Sequence, residues 1–457
     1  MKLVNISGEL IKKYNVKGSY YTSYPTVQRW SNEFDSASFV DAVEKSYEPE
    51  EKFPLCLYTH FPYCASLCYY CICHMQVSHN DNEKDEFLRY FLREIDMLRL
   101  LCDKKGLVPD VKEIHLGGGS PTYMNREQFD KLISKFETIV NMKDLEECAL
   151  EIDIRTITQD DLFYYAEKGI NRISFGVQDF QEDVQKAVNR VQPVELFKEI
   201  ITPDIVKLFK GINFDLIYGL PLQTRDSFKE TIEQVKEFSP ARVSVYTNNY
   251  NPDQYKHHTA FKASDMPDEE EKTRMYLDAV ESLLESGYEK IGIDHFAKKD
   301  DPLAIAKRNK TLHRSFMGYT VGRSYDLVGI GPSALSEFGS FYSQNVYENS
   351  NYFQAIEEGK FPTLRGYELN LDETIRREIM KRLLCHFSLD IRGFEKEHKI
   401  DFNGYFKSAI GELGVLAEDG LLEISNDAIT VTPEGEFFVR HACRAFDKFE
   451  SEEVLKI

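Results

Sequence analysis

The sequence predicts an α/β fold, a full or partial (β/α) barrel followed by a smaller, mostly helical C-terminal domain. Two observations lead to this fold class. Six short apolar runs rich in β-branched and aromatic residues occur before residue 250, and amphipathic helical patterns occupy the longer stretches between them. From about residue 367 helical patterns dominate. We therefore expect an N-terminal lid segment over 1–50, the barrel with an extension of its sheet over 51–366, and a helical domain over 367–457.

The predicted strands and helices alternate along the barrel. The strand runs are 54–61, 111–118, 148–154, 172–177, 214–220 and 242–248. The clearest helical patterns are 82–101, 126–140 and 225–238. Because a strand, a helix and a second strand in this order form a right-handed parallel crossover, the sheet should be parallel. Six such units fit a barrel better than an open doubly wound sheet.

The C-terminal third departs from this alternation. Residues 272–297 predict one more helix and strand, and 373–387 predict a long helix. Residues 404–446 predict helices, a two-stranded wing and a closing helix, which together indicate a small winged-helix-like domain. Winged helices often bind DNA, but fold alone does not establish that function. The acidic character of this region favours a lid or docking role.

Composition narrows the class of protein. The 457 residues include 56 Lys and Arg against 76 Asp and Glu, a formal net charge of −20, which is a poor match to nucleic acid. The hydrophobic fraction of 42% argues against disorder. No run approaches the roughly 20 apolar residues of a membrane span, and the N-terminal sequence lacks a secretory pattern. We expect a cytoplasmic protein without membrane insertion.

Four of the nine cysteines lie within ten residues, at Cys64, Cys68, Cys71 and Cys73. The first three have the spacing C-x3-C-x2-C, and three thiolates in a short loop can each bind one iron of a 4Fe-4S cube, leaving the fourth iron open. Zinc sites prefer paired cysteines with a distant second pair, which this sequence lacks. Cys73 is either a further ligand or a reactive thiol beside the site, and its close spacing favours the thiol.

Several segments resemble the oxygen-independent coproporphyrinogen III oxidases (dehydrogenases), a family of radical S-adenosylmethionine (SAM) enzymes. The resemblance extends from about residue 19 to 447 and depends on YTSYPT (21–26), CxxxCxxCxC (64–73), GGGSPTY (117–123), GVQDF (176–180), DLIYGLP (215–221), IGIDHFA (291–297) and HRSFMGYT (313–320). It implies a partial (β/α)6 radical SAM barrel. It also implies a haem-biosynthetic reaction, the oxidative decarboxylation of two propionate side chains of coproporphyrinogen III to vinyl groups.

The resemblance also implies the cofactors and the site residues. The cofactors are a 4Fe-4S cluster and SAM, with two SAM molecules expected. The implied cluster ligands are Cys64, Cys68 and Cys71, and the implied catalytic residues are Cys73, Arg190 and His60. The implied SAM-binding residues are Tyr58, Tyr70, Gly118, Gly119, Ser120, Glu151, Gln178, Arg190, Asp215, Asn249 and Leu335. The expected partners are the porphyrinogen substrate and a flavodoxin- or ferredoxin-type electron donor, and the expected state is a monomer.

Three positions depart from the family pattern, at Tyr20, Asn249 and Arg323. All three lie where the substrate or the second SAM is expected, so they affect the substrate assignment and leave the cluster chemistry untouched. The alternative is a two-SAM radical C-methyltransferase acting on an aromatic or quinone-like acceptor. A third hypothesis is a non-catalytic haem-binding or trafficking protein, against which Cys73, Arg190 and the N-terminal segment argue.

Overall fold

The computed structural model describes residues 6–14, 21–321 and 326–449. Tyr20 and Arg323, two of the departures noted above, lie outside this part of the chain. The described residues form two compact units. The larger contains 31–282 and 326–368, and the smaller contains 6–14, 21–30, 283–321 and 369–449. The division of the chain at residues 50/51 and 366/367 stays a prediction.

The strands, in chain order, are β1 (Lys52–Phe61), β2 (Tyr63–Cys64), β3 (Gln76–Val77), β4 (Val108–Gly118), β5 (Glu147–Ile152), β6 (Arg172–Gln178), β7 (Gly211–Tyr218), β8 (Arg242–Thr247), β9 (Tyr288–Ile291), β10 (His295–Lys298), β11 (His313–Ser315), β12 (Gly318–Thr320), β13 (Asp326–Ile330), β14 (Leu335–Phe338), β15 (Phe341–Asn345), β16 (Thr363–Glu368), β17 (Ser388–Asp390), β18 (Leu422–Ile424) and β19 (Ala428–Val431).

The helices are α1 (Gly8–Tyr14), α2 (Ser36–Ser46), α3 (Asp81–Lys105), α4 (Arg126–Phe136), α5 (Gln159–Glu167), α6 (Glu182–Ala187), α7 (Val194–Ile200), α8 (Pro203–Leu208), α9 (Arg225–Phe238), α10 (Glu269–Glu285), α11 (Pro302–Arg308), α12 (Asn349–Glu357), α13 (Leu371–His386), α14 (Ile391–His398), α15 (Phe402–Tyr405), α16 (Lys407–Glu418) and α17 (Val439–Arg444). In the described part of the chain, none of them combines the length and the apolar character needed to cross a bilayer.

The larger unit is organised around one sheet in the order β16-β15-β14-β13-β1-β4-β5-β6-β7-β8. The strands from β13 through β1 to β8 pair in parallel, whereas β13 to β16 pair antiparallel. The six predicted strands are the strands β1, β4, β5, β6, β7 and β8, so the parallel α/β prediction is confirmed. The carboxyl ends of parallel strands lie at the same edge of the sheet, so the loops that follow these strands lie together there.

Local sequence explains where the helices begin and end. Helix α3 begins after Asn80, whose side chain accepts a hydrogen bond from the amide of Asn82, and it ends at Gly106 in the left-handed conformation. Phe87 and Phe91 are buried, as the predicted stripe requires. Packing of such amphipathic helices on the sheet removes apolar surface of both the helices and the sheet from water.

The smaller unit contains the helical C-terminal residues and confirms the winged-helix-like prediction. Its core includes Leu383, Leu389, Phe394, Leu413 and Ile429, each fully buried. Strands pair in the order β17-β19-β18, so the wing has three strands where the sequence predicts two. Strand β17 has only three residues, too few for a recognisable alternation of apolar and polar side chains.

Candidate active site

The cysteine loop follows β1 at the carboxyl edge of the parallel sheet. Its two ends are held together by the short parallel pairing of β2 with β3, in which Cys64 lies opposite Val77. Inside the loop the amide of Cys71 donates to the carbonyl of Cys68 at 3.1 Å. The loop is therefore a closed, hydrogen-bonded unit that presents three cysteines within eight residues.

Residues from two distant segments hold this loop in place. The amide of Tyr69 donates to the carbonyl of Val188 at 2.9 Å, and Asn189 Nδ2 donates to the carbonyl of Leu67 at 2.8 Å. From the other side His257 Nε2 donates to the carbonyl of Cys71 at 2.6 Å. Buried backbone groups of an irregular loop need such partners, so these contacts fix the position of the cysteines.

Two guanidinium groups lie beside the sulfur of Cys68. Arg190 Nη1 is 3.5 Å and Arg155 Nη2 is 3.8 Å from Cys68 Sγ. Asp153 holds both arginines, with Arg155 Nη2 at 2.6 Å and Arg190 Nη1 at 3.4 Å from its Oδ2 atom. Asp153 and Arg190 are buried. Positive charge at this point suits an anionic group held by thiolates.

The other thiols have different surroundings. Ser120 Oγ lies 3.5 Å from Cys64 Sγ, and burial raises the pKa of Cys64 to about 12. A hydrogen bond from Cys73 lowers the pKa of the Cys71 thiol to about 7. Cys73 is exposed, and the same hydrogen bond raises its pKa. All nine cysteines are free, which leaves the loop cysteines open to metal binding.

The donor set fits an iron–sulfur cube better than a single ion. Among residues 6–14, 21–321 and 326–449, no three His, Cys, Asp or Glu side chains converge on one metal position. A cube makes no such demand, because each thiolate binds a different iron. Three loop cysteines with Arg155 and Arg190 beside one of them meet the chemical requirement of a three-thiolate cluster.

The glycine-rich segment after β4 lies against the base of the cysteine loop. Gly119 N donates to the carbonyl of Phe61 at 2.7 Å, Ser120 N to that of Tyr63 at 2.9 Å, and Gly118 N to Glu151 at 3.3 Å. The fold therefore already uses the backbone donors of Gly118, Gly119 and Ser120. A ligand bound at this turn would therefore contact groups other than these three amides.

Gly118 is required by its geometry. Its φ angle is +106°, and an added Cβ would lie 2.8 Å from His60 Nδ1. His60 is itself held at both ring nitrogens, with Tyr58 Oη 3.0 Å from Nδ1 and the carbonyl of His74 2.7 Å from Nε2. Burial lowers the pKa of His60 to about 4, so the ring is neutral at pH 7. It bridges the strand end to the far side of the cysteine loop.

Glu151 lies near the end of β5 with its carboxylate half-buried and directed at β4. His115 Nε2 donates to its Oε1 at 2.9 Å, and Gly118 N donates to its Oε2. Burial alone would lower the pKa of His115, but the hydrogen bond and charge of Glu151 raise it. The carboxylate is thus oriented by two donors and keeps part of its surface accessible for a ligand.

Asp215 on β7 forms a second polar position two strands away. Ser174 Oγ donates to its Oδ2 at 2.6 Å and Asn213 Nδ2 to its Oδ1 at 2.9 Å. Burial raises the pKa of Asp215. Gln178, with φ +64°, ends the strand between them, and its side chain lies with that of Arg190 around Gly176. Glu151, Gln178 and Asp215 therefore follow one another along neighbouring strands.

The remaining predicted residues occupy different positions. Tyr70 lies in the cysteine loop, packs against the cluster of Val184, Val188 and Leu220, and has its pKa raised by burial. Asn249 is exposed two residues beyond β8. Leu335 is buried at the start of β14, in the antiparallel extension of the sheet.

Sequence reasoning missed four residues that shape the site, namely Asp153, Arg155, His115 and His257. Asp153 lies at the end of the predicted strand 148–154 and Arg155 directly follows it, a position where parallel sheets place functional groups, and this signal could have identified them. His115 lies inside a predicted strand and faces Glu151 on the next one. No sequence pattern identifies His257, because its partner Cys71 is 186 residues away.

Comparisons with known proteins agree with this geometry. The model of the radical SAM superfamily matches residues 58–235, and that of the HemN C-terminal domain matches 369–438. The oxygen-independent coproporphyrinogen III oxidase of Salmonella typhimurium is 38% identical over 96% of this chain and 94% of its own. For the enzymes so named in Pseudomonas aeruginosa and Helicobacter pylori, identity is 36% and 32%, with coverage of 96% and 97% of this chain and 95% and 97% of theirs.

A solved structure matches over the same length. Coproporphyrinogen III oxidase (HemN) from Escherichia coli, described as a radical SAM enzyme, superimposes with a TM-score of 0.90 at 36% identity, covering 98% of this chain and 100% of that one. Identity above 30% over nearly both full lengths includes the cysteine loop, the barrel and the C-terminal domain. The chain therefore belongs to the oxygen-independent coproporphyrinogen III oxidase family of radical SAM enzymes.

Proposed function

We propose that this protein converts coproporphyrinogen III to protoporphyrinogen IX by oxidative decarboxylation of two propionate side chains to vinyl groups. The observation that carries the proposal is the closed three-cysteine loop with Arg190 and Arg155 at the sulfur of Cys68. This loop lies at the carboxyl edge of the parallel sheet, and the chain aligns over nearly its full length with relatives of that name. The comparisons do not favour a radical C-methyltransferase.

Cys64, Cys68 and Cys71 would hold a 4Fe-4S cluster, and the fourth iron would take SAM. When bound, the cluster and SAM supply the one-electron chemistry that removes a hydrogen atom from the substrate. The protein's part is to fix these groups and to keep water away. The hydrogen bonds from Asn189 and His257 to the carbonyls of Leu67 and Cys71, and from the amide of Tyr69 to Val188, fix the loop before any ligand enters.

We assign SAM binding to the polar positions along the strand ends. Glu151 is oriented for an amine or ribose hydroxyl, because donors on β4 already hold its oxygens. Arg190 suits a carboxylate, since a guanidinium offers several donors in one plane. Tyr58, Tyr70, Gly118, Gly119, Ser120, Gln178, Asp215, Asn249 and Leu335 complete the proposed set. The separation of Glu151 and Asp215 by an intervening strand supports two SAM molecules.

Two residues beside the loop have distinct proposed roles. Cys73 is exposed with its thiol hydrogen-bonded to Cys71, which supports a role as a hydrogen or proton donor at the substrate. His60 has hydrogen-bond partners at both ring nitrogens. That arrangement supports a role for His60 in positioning the cysteine loop rather than in proton transfer.

The wider setting follows from the same chemistry. A one-electron donor is required, and we propose a flavodoxin or ferredoxin. Nine free cysteines suit a reducing compartment, which supports a cytoplasmic location. We propose that the protein acts as a monomer.

The deciding experiment is an anaerobic product assay. The protein is reconstituted with iron and sulfide and incubated with SAM, a reductant and coproporphyrinogen III. Two equivalents of CO2 and protoporphyrinogen IX are expected, measured by mass spectrometry. S-adenosylhomocysteine with a methylated acceptor, or no SAM cleavage with any candidate, would overturn the proposal.

Single cysteine substitutions test the ligand assignment. Cys64→Ser, Cys68→Ser and Cys71→Ser should each abolish the visible cluster absorbance and SAM cleavage, because a cube held by two thiolates is lost. Cys102→Ser on α3 is the matched control and should retain both. A full cluster in any of the three loop variants would contradict the assignment.

A further inference from the structure

We propose that Arg155 sets the reduction potential of the cluster through its contact with the sulfur of Cys68. The inference rests on the proposed function, since it takes Cys68 to be a cluster ligand. Arg155 and Cys68 are 87 positions apart in the sequence, so their contact is visible only in the folded chain.

The side chain of Arg155 is held firmly in its position. Its Nε lies 2.9 Å from Asp153 Oδ1 and its Nη2 lies 2.6 Å from Asp153 Oδ2, a two-point ion pair. The Asp153 side chain is only 4% exposed and that of Arg155 20% exposed. The same Nη2 atom is 3.8 Å from Cys68 Sγ, so this ion pair is directed at a ligand sulfur.

The backbone adds to this rigidity. Asp153 caps a short 3-10 turn, Ile154–Thr156, and its Oδ1 also accepts the amide of Arg155 at 3.2 Å. Thr156 Oγ1 donates to the carbonyl of Asp153 at 2.9 Å. The Asp153 carboxylate therefore fixes both the main chain and the side chain of Arg155. Because the side chain has little rotamer freedom, the distance between Arg155 Nη2 and Cys68 Sγ varies little.

The charge at this position has a predictable effect. Three thiolates and a cube form an anion, and reduction adds one more negative charge at a place with little water. A cation close to a ligand sulfur stabilises the reduced form more than the oxidised form, which raises the midpoint potential. Asp153 neutralises one of the two arginines it holds, so the pair of arginines keeps one net positive charge beside Cys68.

Arg155 and Arg190 are thereby given separate tasks. Arg190 also donates to the carbonyl of Gly176, near Gln178, where the proposed SAM residues lie. The contacts that hold Arg155 are made within its own turn and to the loop sulfur. A change at Arg155 should therefore move the potential without removing a SAM contact.

The test is a redox titration of the reconstituted holoprotein, monitored by the EPR signal of the reduced cluster. Arg155→Met should lower the equilibrium constant of one-electron reduction by about tenfold, which is about 59 mV for a one-electron couple. The midpoint potential of Arg155→Gln should shift in the same direction, and that of Arg155→Lys should lie between the potentials of these two variants and that of wild type. Arg126→Met, which removes the surface ion pair with Asp161, is the matched control and should titrate as wild type.

The outcomes separate this inference from the proposed function. A wild-type protein without a cluster would defeat the proposed function. A wild-type cluster with Arg155→Met and Arg155→Gln at the wild-type potential would overturn the inference alone. Loss of iron from both neutral variants would also overturn it, because Arg155 would then retain the cluster rather than tune it.

Discussion

At the scale of single residues, Glu151 depends on one neighbouring strand for its orientation. His115 and Gly118 both lie on β4 and donate to its two oxygens. Removing the imidazole leaves a half-buried carboxylate with one donor. Such charged hydrogen bonds contribute about 1.5–3 kcal/mol.

His115→Leu should therefore weaken SAM binding by about tenfold, because Glu151 loses its fixed orientation. The measurement is anaerobic calorimetry of SAM binding to the reconstituted protein. His79→Leu, at an exposed histidine outside the site, should bind SAM as wild type does. An unchanged affinity in His115→Leu would show that Glu151 does not depend on this contact.

The sequence predicted site residues best where they belong to one short, local motif. Cys64, Cys68 and Cys71 fall within one loop, so their spacing alone indicates a cube. Arg155 and His257 could not be found in this way, since their contacts bridge 87 and 186 residues of sequence. Long-range hydrogen bonds carry no periodic signal.

At the scale of elements, the cysteine loop is held from outside by a short 3-10 helix, Lys256–Ala260. His257 in this helix donates to the carbonyl of the ligand Cys71. A hydrogen bond of this kind contributes about 0.5–1.5 kcal/mol, a factor of about 2 to 13 in an equilibrium.

His257→Ala should accordingly lose iron to a chelator severalfold faster than wild type, because the cysteine loop opens more often. Iron release is followed by the absorbance of the chelate under nitrogen. Lys256→Ala, at the exposed position beside it, serves as the control and should match wild type. Equal release rates for His257→Ala and wild type would contradict the clamping role.

Helix α3 is joined to the sheet by a buried carboxyl group. Glu94 accepts hydrogen bonds from Gly331 N at 2.8 Å, Asn345 Nδ2 at 2.9 Å and Tyr352 Oη at 2.5 Å. Burial raises the pKa of Glu94 to about 7, above the unfolded value near 4.5. The folded state therefore binds the proton more tightly than the unfolded state, and stability is lost as the pH rises from about 4.5 to 7.

This linkage predicts a difference between wild type and Glu94→Gln. The wild-type free energy of unfolding, relative to that of the variant, should fall by about 3 kcal/mol between pH 4 and pH 8, as measured by urea denaturation. Glu86→Gln on the exposed face of α3 should show no such trend. A constant difference between wild type and Glu94→Gln would refute the buried titration.

Element prediction succeeded where the pattern was strong. The six apolar runs correspond to β1 and β4 to β8. Strands of a parallel sheet are covered on both faces, so their sequences are nearly continuous apolar runs that are easy to recognise. The antiparallel strands β13 to β16 are short and contain polar residues such as Ser336, Glu337, Ser343 and Gln344, so their sequence resembles loops. Tertiary pairing with β1 forms this extension, and local preference does not reveal it.

At the scale of the whole molecule, the chain carries a net charge of −20, yet its proposed substrate is a tetra-acid. The structure places positive charge locally instead, with Arg155 and Arg190 at the cysteine loop. The fold class, the family and the C-terminal domain were all predictable, because the motifs extend over nearly the full length. The balance of charge at the site required the folded structure.

The most direct measurement of the central claim is the EPR spectrum of the anaerobically reduced protein with and without SAM. Three loop thiolates with an open iron predict a reduced 4Fe-4S signal that changes shape when SAM is added, and Cys102→Ser should behave identically. A protein that holds no iron after reconstitution, or whose cluster signal is indifferent to SAM, would contradict the account.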